Sequence, residues 1–346
     1  EVDMARGRLK KVVEETEDGG QYFSADSSIA QKDIEFFSSG STLIDCVLGG
    51  GWAEGRLANI VGDSGTAKTG LAVMACASFH KKYPSGKIWY VETEQAFDID
   101  HAEKLGFPTN DVEFVENCDT VEAVGDHMEA CLEAQGKDKS PGLYIVDSLD
   151  ALSDKSELDR TMTDSSFGAN KAKKLSELFR RLNAKMSMSN ITIIIVSQVR
   201  DNIGVAFGEK HSRSGGKALR FYASQELWLA NLGKIDKTYS GIKRVIGVKI
   251  RAKTKKNKVG MPFREVDFDY IFGVGINEIK SSIDWLESAK SLEVTGLDGP
   301  SATSLIKNLN SLSDEEYFEW YDKITASVKE VWQSIEENFE APRRIR

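Results

Sequence analysis

The stretch Gly62-Asp63-Ser64-Gly65-Thr66-Ala67-Lys68-Thr69 constrains this chain more than any other. It follows the apolar run Leu57 to Val61 and precedes Gly70-Leu71-Ala72-Val73-Met74-Ala75-Cys76-Ala77, which reads as the start of a helix. Strand, glycine-rich turn, Lys-Thr and helix together make a phosphate-binding loop. Small residues let successive backbone N–H groups face an anion, and the helix N-terminus adds the positive end of its dipole. Lys68 then reaches the terminal phosphates, and Thr69 offers a hydroxyl to Mg²⁺. The candidate nucleotide-binding residues are therefore Gly62, Asp63, Ser64, Gly65, Thr66, Ala67, Lys68, Thr69 and Gly70. Ala67 stands where the usual pattern has glycine. Its methyl is compatible with the loop unless that position requires a positive φ.

A chain of 346 residues exceeds one average domain of roughly 150, so one large core with smaller appendages is expected. No apolar run approaches the roughly 18 residues of a membrane span, and the charged N-terminus lacks the apolar block of a secretory signal. The four cysteines, Cys46, Cys76, Cys118 and Cys131, are scattered without a Cys-x-x-Cys pair. They read as reduced, mostly buried thiols of a cytoplasmic protein rather than a zinc site or a disulfide framework. A net charge of −9 argues against a surface coated throughout by nucleic acid, although local patches, not totals, make such sites.

Three regions separate along the chain. Residues 1–38 open on a basic helical pattern from Arg6 to Glu15, followed by Gly19-Gly20 and a polar stretch. This arm is too small to fold alone and reads as an oligomerisation element. Residues 39–277 alternate β-rich runs with helices. The expected strands are Leu57–Val61, Lys87–Glu92, Val112–Val115, Gly142–Val146, Ile191–Val196, Gln225–Ala230, Arg244–Ile250 and Phe263–Asp269. The early ones are apolar throughout, as strands buried on both faces of a parallel sheet are. The later ones follow each other closely and suit antiparallel additions. Residues 278–346 carry acidic helical patterns and a basic end, Arg343-Arg344-Ile345-Arg346.

Two further strands end in acids. Leu143-Tyr144-Ile145-Val146-Asp147-Ser148 places Asp147 at a carboxyl edge, where open α/β sheets bind ligands and where an Asp can hold Mg²⁺. Tyr90-Val91-Glu92-Thr93-Glu94-Gln95-Ala96 puts a carboxylate within reach of an attacking water. Glu92 and Glu94 alternate along an extended segment, and the pattern alone does not choose between them.

Ile193-Ile194-Ile195-Val196-Ser197-Gln198 is a buried strand ending in an amide suited to a γ-phosphate. The glycine- and polar-rich segment after it, through Lys217, carries Arg200, Lys210, Arg213 and Lys217 against Asp201 and Glu209. Long loops beside a nucleotide site are commonly functional, and basic side chains with Phe207 suit a polynucleotide. From Lys243 to Lys258 there are eight lysines and arginines and no acid, which suits either a nucleic-acid channel or a neighbour's phosphates, or a lysine-protected edge strand.

These residues resemble the RecA recombinases over roughly residues 6–277. The resemblance rests on Ser39-Gly40-Ser41-Thr42-Leu43-Ile44-Asp45, the phosphate loop, Glu94-Gln95-Ala96-Phe97-Asp98 with His101-Ala102-Glu103-Lys104-Leu105-Gly106, and Val146-Asp147-Ser148-Leu149-Asp150-Ala151-Leu152. It continues in Ser197 through Gly208, Gly215-Gly216-Lys217-Ala218-Leu219-Arg220-Phe221-Tyr222-Ala223-Ser224, and Lys256-Asn257-Lys258-Val259-Gly260-Met261-Pro262-Phe263. The stretch 197–224 is the most specific, because P-loop ATPases in general lack it.

The resemblance implies an α/β fold: a RecA-like P-loop ATPase core with a mostly parallel sheet flanked by helices, a small N-terminal helix and strand arm, and a small helical C-terminal region. It implies a DNA-dependent ATPase that uses ATP and Mg²⁺, forms homo-oligomeric filaments on single-stranded DNA and pairs it with double-stranded DNA in recombination and repair. Loader or single-strand-binding proteins would be further partners. Glu94 would activate the water, Gln198 would sense the γ-phosphate, and Lys256 and Lys258 would reach the ATP of the adjacent protomer. Thr69 and Asp147 would hold the metal, and Asp98 and His101 would lie near the adenine.

A first DNA loop would fall near Glu157–Gly168. The second, roughly 199–216, would offer Arg200, Asn202, Gly204, Val205, Phe207, Lys210, Arg213, Gly215 and Gly216. Ala67 and the short, basic-ended C-terminal region resemble a phage or mobile-element recombinase more than a housekeeping one. The related branch with an N-terminal zinc finger is disfavoured by the absence of cysteine pairs. Two other classes share the phosphate loop: a RecA-fold ring ATPase or helicase-type motor, which the 199–216 segment and the small arm argue against, and a non-hydrolysing recombination mediator, which intact Lys68, Thr69, Glu94 and Asp147 argue against.

Overall fold

Strands that are apolar at every position need apolar partners on both faces. The computed structural model supplies them; it describes residues 34–136, 140–158, 169–186, 189–201, 211–213, 216–296, 301–309 and 312–339. The chain divides into two units, Glu1–Glu35 and Phe36–Arg346. The expected N-terminal helix lies outside the described residues.

In chain order the elements are β1 (Phe36–Phe37), α1 (Thr42–Leu48), β2 (Trp52–Ala53), β3 (Leu57–Gly62), α2 (Lys68–Lys82), β4 (Lys87–Glu92), α3 (Ile99–Lys104), β5 (Val112–Phe114), α4 (Val121–Gly136), β6 (Gly142–Asp147) and α5 (Lys155–Leu158). They continue with α6 (Ala169–Met186), β7 (Ile191–Asp201), β8 (His211–Arg213), α7 (Gly216–Tyr222), β9 (Gln225–Tyr239), β10 (Ile242–Asn257), β11 (Glu265–Ile271), β12 (Gly275–Ile276), α8 (Glu278–Ser288), α9 (Ala302–Leu309) and α10 (Asp314–Phe339).

The main sheet runs β12-β11-β10-β9-β3-β7-β6-β4-β5, with β8 paired to β7 alone. From β9 to β5 every pairing is parallel, while β10, β11 and β12 add antiparallel strands at one side. The expected division between parallel early strands and antiparallel late ones therefore holds. Three strands outrun their expected lengths by five residues or more. β9 and β10 extend as a long hairpin closed at Ser240-Gly241, both at positive φ, as a two-residue hairpin turn requires. β7 continues past Val196 to Asp201 and pairs with β8 through Val199↔Arg213 and Asp201↔His211. Within the segment read as one long loop, Val199–Asp201 and His211–Arg213 are thus paired strands; residues 202–210 lie outside the described residues.

The two faces follow the period of two along each strand. Ile88, Tyr90, Leu143, Ile145, Ile194 and Val196 point into one core with α1, α2, α8, α9 and α10. Trp89, Val91, Tyr144, Val146, Ile193 and Ile195 point into the other, with α4, α6 and α7. Truncating a residue such as Ile194, fully buried in the middle of the sheet, costs about 2–5 kcal/mol. The helices after residue 277 share the first core: Ile283, Leu305 and Val328 pack in the same cluster as Leu43 and Leu71.

Cys76, Cys118 and Cys131 are buried and Cys46 half-buried, all as free thiols. Burial pushes the Cys46 and Cys131 thiols up to about 12, which leaves them protonated and unreactive. Among the described residues no helix is long and apolar enough to cross a membrane.

Strand register positions the chemistry. Gly62 lies beside Gln198 on β7 and beside Leu229 on β9, and Glu92 lies beside Asp147. Three strands, β3, β4 and β6, thereby end on one carboxyl edge beside Gln198 of β7, the position at which open α/β sheets take their ligands.

Candidate nucleotide-binding site

The phosphate loop leaves β3 at Gly62 and enters α2 at Lys68. A Cβ on Gly62 would sit 2.4 Å from Thr66 Oγ1, and Gly65 takes φ +71 with open space where a Cβ would be. Both glycines are therefore required, one by close approach and one by backbone conformation. Thr66 Oγ1 and Lys68 Nζ both donate to the Asp63 carbonyl, each at 2.7 Å, so the loop is closed on itself. Gly70, in the first turn of α2, leaves room for Tyr270: a Cβ there would come 2.3 Å from the Tyr270 hydroxyl.

Ala67 caps α2 at φ 59, ψ 27. This is the left-handed conformation that the glycine of the usual pattern adopts freely and an alanine adopts at about 1–2 kcal/mol. The position does require positive φ, the one condition under which the methyl matters, and the loop keeps its form with the strain in place.

A cavity of about 250 Å³ is lined by Ser64, Gly65, Thr66, Ala67, Lys68, Thr69, Glu94, Asp147, Ser148 and Gln198. Of the nine loop residues expected to surround a phosphate, Ser64 to Thr69 line it and Gly62, Asp63 and Gly70 do not; Asp147 at the end of β6 and Glu94 just after β4 join them. Burial pulls the Lys68 ammonium down, while Asp147, Glu94, Asp63 and Asp150 hold it up. Burial pushes the Asp147 carboxyl up, opposed by hydrogen bonds from the Thr69 and Tyr90 side chains. Tyr90 Oη donates to Asp147 Oδ2 at 2.8 Å.

The two glutamates take different positions. Glu94 lines the cavity, and its Oε1 accepts from Ser148 Oγ at 2.7 Å and from Gln198 Nε2 at 3.2 Å. Glu92 turns onto its own backbone, accepting from the Glu94 and Ala96 N–H groups. Gln198 is held in turn by its N–H, which donates to Asp150 Oδ2 at 2.6 Å. Thr93 Oγ1 donates to the Ser148 carbonyl and accepts from its N–H, both at 2.8 Å, across the cis peptide that joins Asp147 to Ser148.

Ser148, Asp150 and Tyr90 were not singled out from the sequence as site residues. For Ser148 and Asp150 a signal existed: a hydroxyl and a second acid directly follow Asp147. For Tyr90 none did, because an aromatic residue inside an apolar strand reads as core.

Other expected residues lie elsewhere. Asp98 Oδ1 caps α3 by accepting the His101 N–H at 2.9 Å, so its carboxylate orders the segment that carries His101. The turn between β11 and β12 lies against that segment, with Gly275 packed beside Leu105 and Phe272 and Val274 exposed. Lys256 Nζ donates to the Arg220 and Phe221 carbonyls at 2.5 and 2.8 Å, and Lys258 Nζ reaches the Phe221 carbonyl at 3.5 Å. Both lysines thus sit against the last turn of α7, where the helix dipole favours cations, and not in the chain's own phosphate cavity.

Arg200 and Arg213 occupy the β7–β8 pair, and Gly216 begins α7. Asn202, Gly204, Val205, Phe207, Lys210 and Gly215 lie outside the described residues, as does most of 157–168. Within the basic run, Arg251 pairs with Asp267 and Lys253 with Glu265, each at 2.7 Å on the neighbouring strand β11.

ATP with Mg²⁺ fits these residues. The open cradle at Gly65, the α2 N-terminus and Lys68 suit a polyphosphate. A hydroxyl and one carboxylate, Thr69 and Asp147, are the hard oxygen donors that Mg²⁺ takes when phosphates complete its shell.

A phosphate loop at the carboxyl edge of an open, mostly parallel sheet, with acids ending two nearby strands, defines a P-loop nucleotide-binding protein. Comparison with known proteins narrows the class. Residues 12–277 match the RecA N-terminal domain. Protein RecA of Mycoplasma mycoides is 33% identical over 307 residues, covering 86% of this chain and 84% of that protein. Protein RecA of Rhodospirillum rubrum is 36% identical over 76% of this chain and 69% of its own length. Protein RecA of Bartonella bacilliformis is 37% identical over 73% of this chain and 70% of its own length. The chain belongs to the RecA family.

Proposed function

We propose that this chain is an ATP-dependent DNA recombinase that assembles on single-stranded DNA, pairs it with homologous duplex and exchanges strands in recombination and repair. The observation that carries the reading is the shared cavity of Lys68, Glu94, Asp147 and Gln198, from which β7 runs straight into the β7–β8 extension. In this reading the amide that senses nucleotide, Gln198, and the residues that lead to the polynucleotide, Val199 to Asp201, lie on one strand.

When bound, ATP with Mg²⁺ supplies the charge that orders the assembly and the phosphoanhydride whose cleavage loosens it. The loop N–H groups and Lys68 hold the phosphates, and Thr69 and Asp147 would hold the metal. Glu94 takes the proton of the attacking water, oriented by Ser148 Oγ and Gln198 Nε2. Gln198 reads the γ-phosphate and passes the state along β7. Lys256 and Lys258 act on the ATP of the adjacent protomer, consistent with their position against α7 away from their own cavity. The segments near 157–168 and 199–216 hold DNA mainly by its backbone, so affinity depends steeply on salt and weakly on sequence. His101 and the segment capped by Asp98 lie near the base. The protein works in the cytoplasm with loader or single-strand-binding proteins as further partners.

Electron microscopy of the chain with single-stranded DNA, with and without ATP, tests this reading against Lys68→Ala. ATP-dependent filaments by the wild type and none by the variant support it. Nucleotide-dependent strand exchange by Lys68→Ala would overturn the site.

A further inference from the structure

Tyr90 is completely buried in β4, its ring among Phe97, Phe107 and Phe114 at centroid distances of 5.1, 5.9 and 5.8 Å. A phenylalanine would fill that site equally well and leave no hydroxyl to satisfy. A buried hydroxyl without a partner costs about 1–3 kcal/mol, so the oxygen here needs a reason, and its partner is Asp147 Oδ2 at 2.8 Å. An ionised carboxylate only accepts, and the χ2 torsion of aspartate is broad, so a lone Asp at a strand end has no fixed orientation. The surrounding rings clamp the phenol, and the phenol pins one carboxylate oxygen. Thr69 lines the same cavity as this carboxylate, on the phosphate-loop side.

We propose that Tyr90 is a positioning residue for the metal: it holds Asp147 Oδ2 so that the carboxylate faces Thr69 in the orientation a Mg²⁺–nucleotide needs. The inference rests on the nucleotide-site reading above. Partners behind a metal-binding carboxylate typically govern metal affinity by 10–100-fold.

The test is the Mg²⁺ dependence of fluorescent ADP binding by the full chain, in the wild type, Tyr90→Phe and Phe114→Leu. The second variant loosens the same ring cluster and keeps the hydroxyl. Tyr90→Phe is expected to raise the Mg²⁺ concentration at half-saturation about tenfold while leaving affinity in EDTA unchanged. Phe114→Leu is expected to keep the wild-type midpoint. An unchanged midpoint in Tyr90→Phe, an equal rise in Phe114→Leu, or failure of Tyr90→Phe to fold would each overturn the proposal by assigning the hydroxyl to the core alone. Wild-type nucleotide binding indifferent to Mg²⁺ would instead overturn the site reading on which it stands.

Discussion

Gln198 Nε2 donates to Glu94 Oε1 at 3.2 Å, joining the middle of β7 to the loop after β4. The residues proposed as general base and phosphate sensor are thereby held to each other, with Ser148 Oγ on the same oxygen. Gln198→Ala leaves Glu94 with the Ser148 bond, so basal hydrolysis should persist. The communication along β7 should not. We expect stimulation of ATP turnover by single-stranded DNA to fall at least about fivefold, the lower range of couplings between sites. Coupled ATPase assays with and without DNA read this, and unchanged stimulation in the variant would remove Gln198 from the pathway.

The position of Lys256 and Lys258 at the end of β10, against the last turn of α7, makes a mixing experiment informative. Glu94→Gln should lower turnover by about 10²–10⁴ while retaining nucleotide binding. A Lys256→Ala, Lys258→Ala chain should be inactive because it offers nothing to its neighbour's phosphates. In a head-to-tail filament of both variants, about a quarter of interfaces join an intact Glu94 to intact lysines. Turnover recovered in the mixture, where neither variant alone is active, is the expected result; no recovery would place the lysines in their own protomer's chemistry.

Ala67 holds φ 59 against the preference of an L-residue. Replacing it by glycine removes about 1–2 kcal/mol of strain and adds about 0.5–1 kcal/mol of unfolded-state entropy. Ala67→Gly should therefore stabilise the chain by about 0.5–1 kcal/mol, a rise in Tm of about 1–2 °C. Differential scanning calorimetry reads the sign, and a fall in Tm would mean that the methyl contributes packing that outweighs its backbone cost.

Asp45 gives a pH signature far from the nucleotide. Its Oδ1 accepts from the Ser39 N–H and Oγ, and its Oδ2 from Ser38 Oγ, each at 2.6 Å. Burial nevertheless pushes its carboxyl up from 3.8 to about 6, against those hydrogen bonds. The folded chain thus binds a proton between about pH 4 and 6 that the unfolded chain has released, and this group's contribution to stability falls as pH rises through that window. Asp45→Asn stays neutral and keeps an acceptor for Ser39. Its stability relative to wild type should improve from pH 4 to about 6 and level off above, in denaturant melts at fixed ionic strength. A difference independent of pH would contradict the assignment.

The sequence carried the parallel core because its early strands are apolar at nearly every position, a pattern that only two covered faces satisfy. It carried Lys68, Thr69 and Asp147 because phosphate loops and strand-end acids depend on local order along the chain. It could not separate Glu92 from Glu94, since adjacent acids differ only in which one the turn folds back on. It concealed Tyr90, whose hydroxyl matters only because β4 lies beside β6. The reach of β7 to Asp201 was hidden for a similar reason: Val199 to Asp201 are polar enough to read as loop, and they become strand only by pairing with β8.

In the proposed function the phosphate cavity and the extension of β7, proposed to face DNA, work as one device. The most direct test is ATP hydrolysis by the full chain with and without single-stranded DNA, in Mg²⁺. The account predicts turnover that single-stranded DNA clearly stimulates and that rising salt suppresses together with DNA binding. Hydrolysis that is indifferent to DNA at every salt concentration would contradict it.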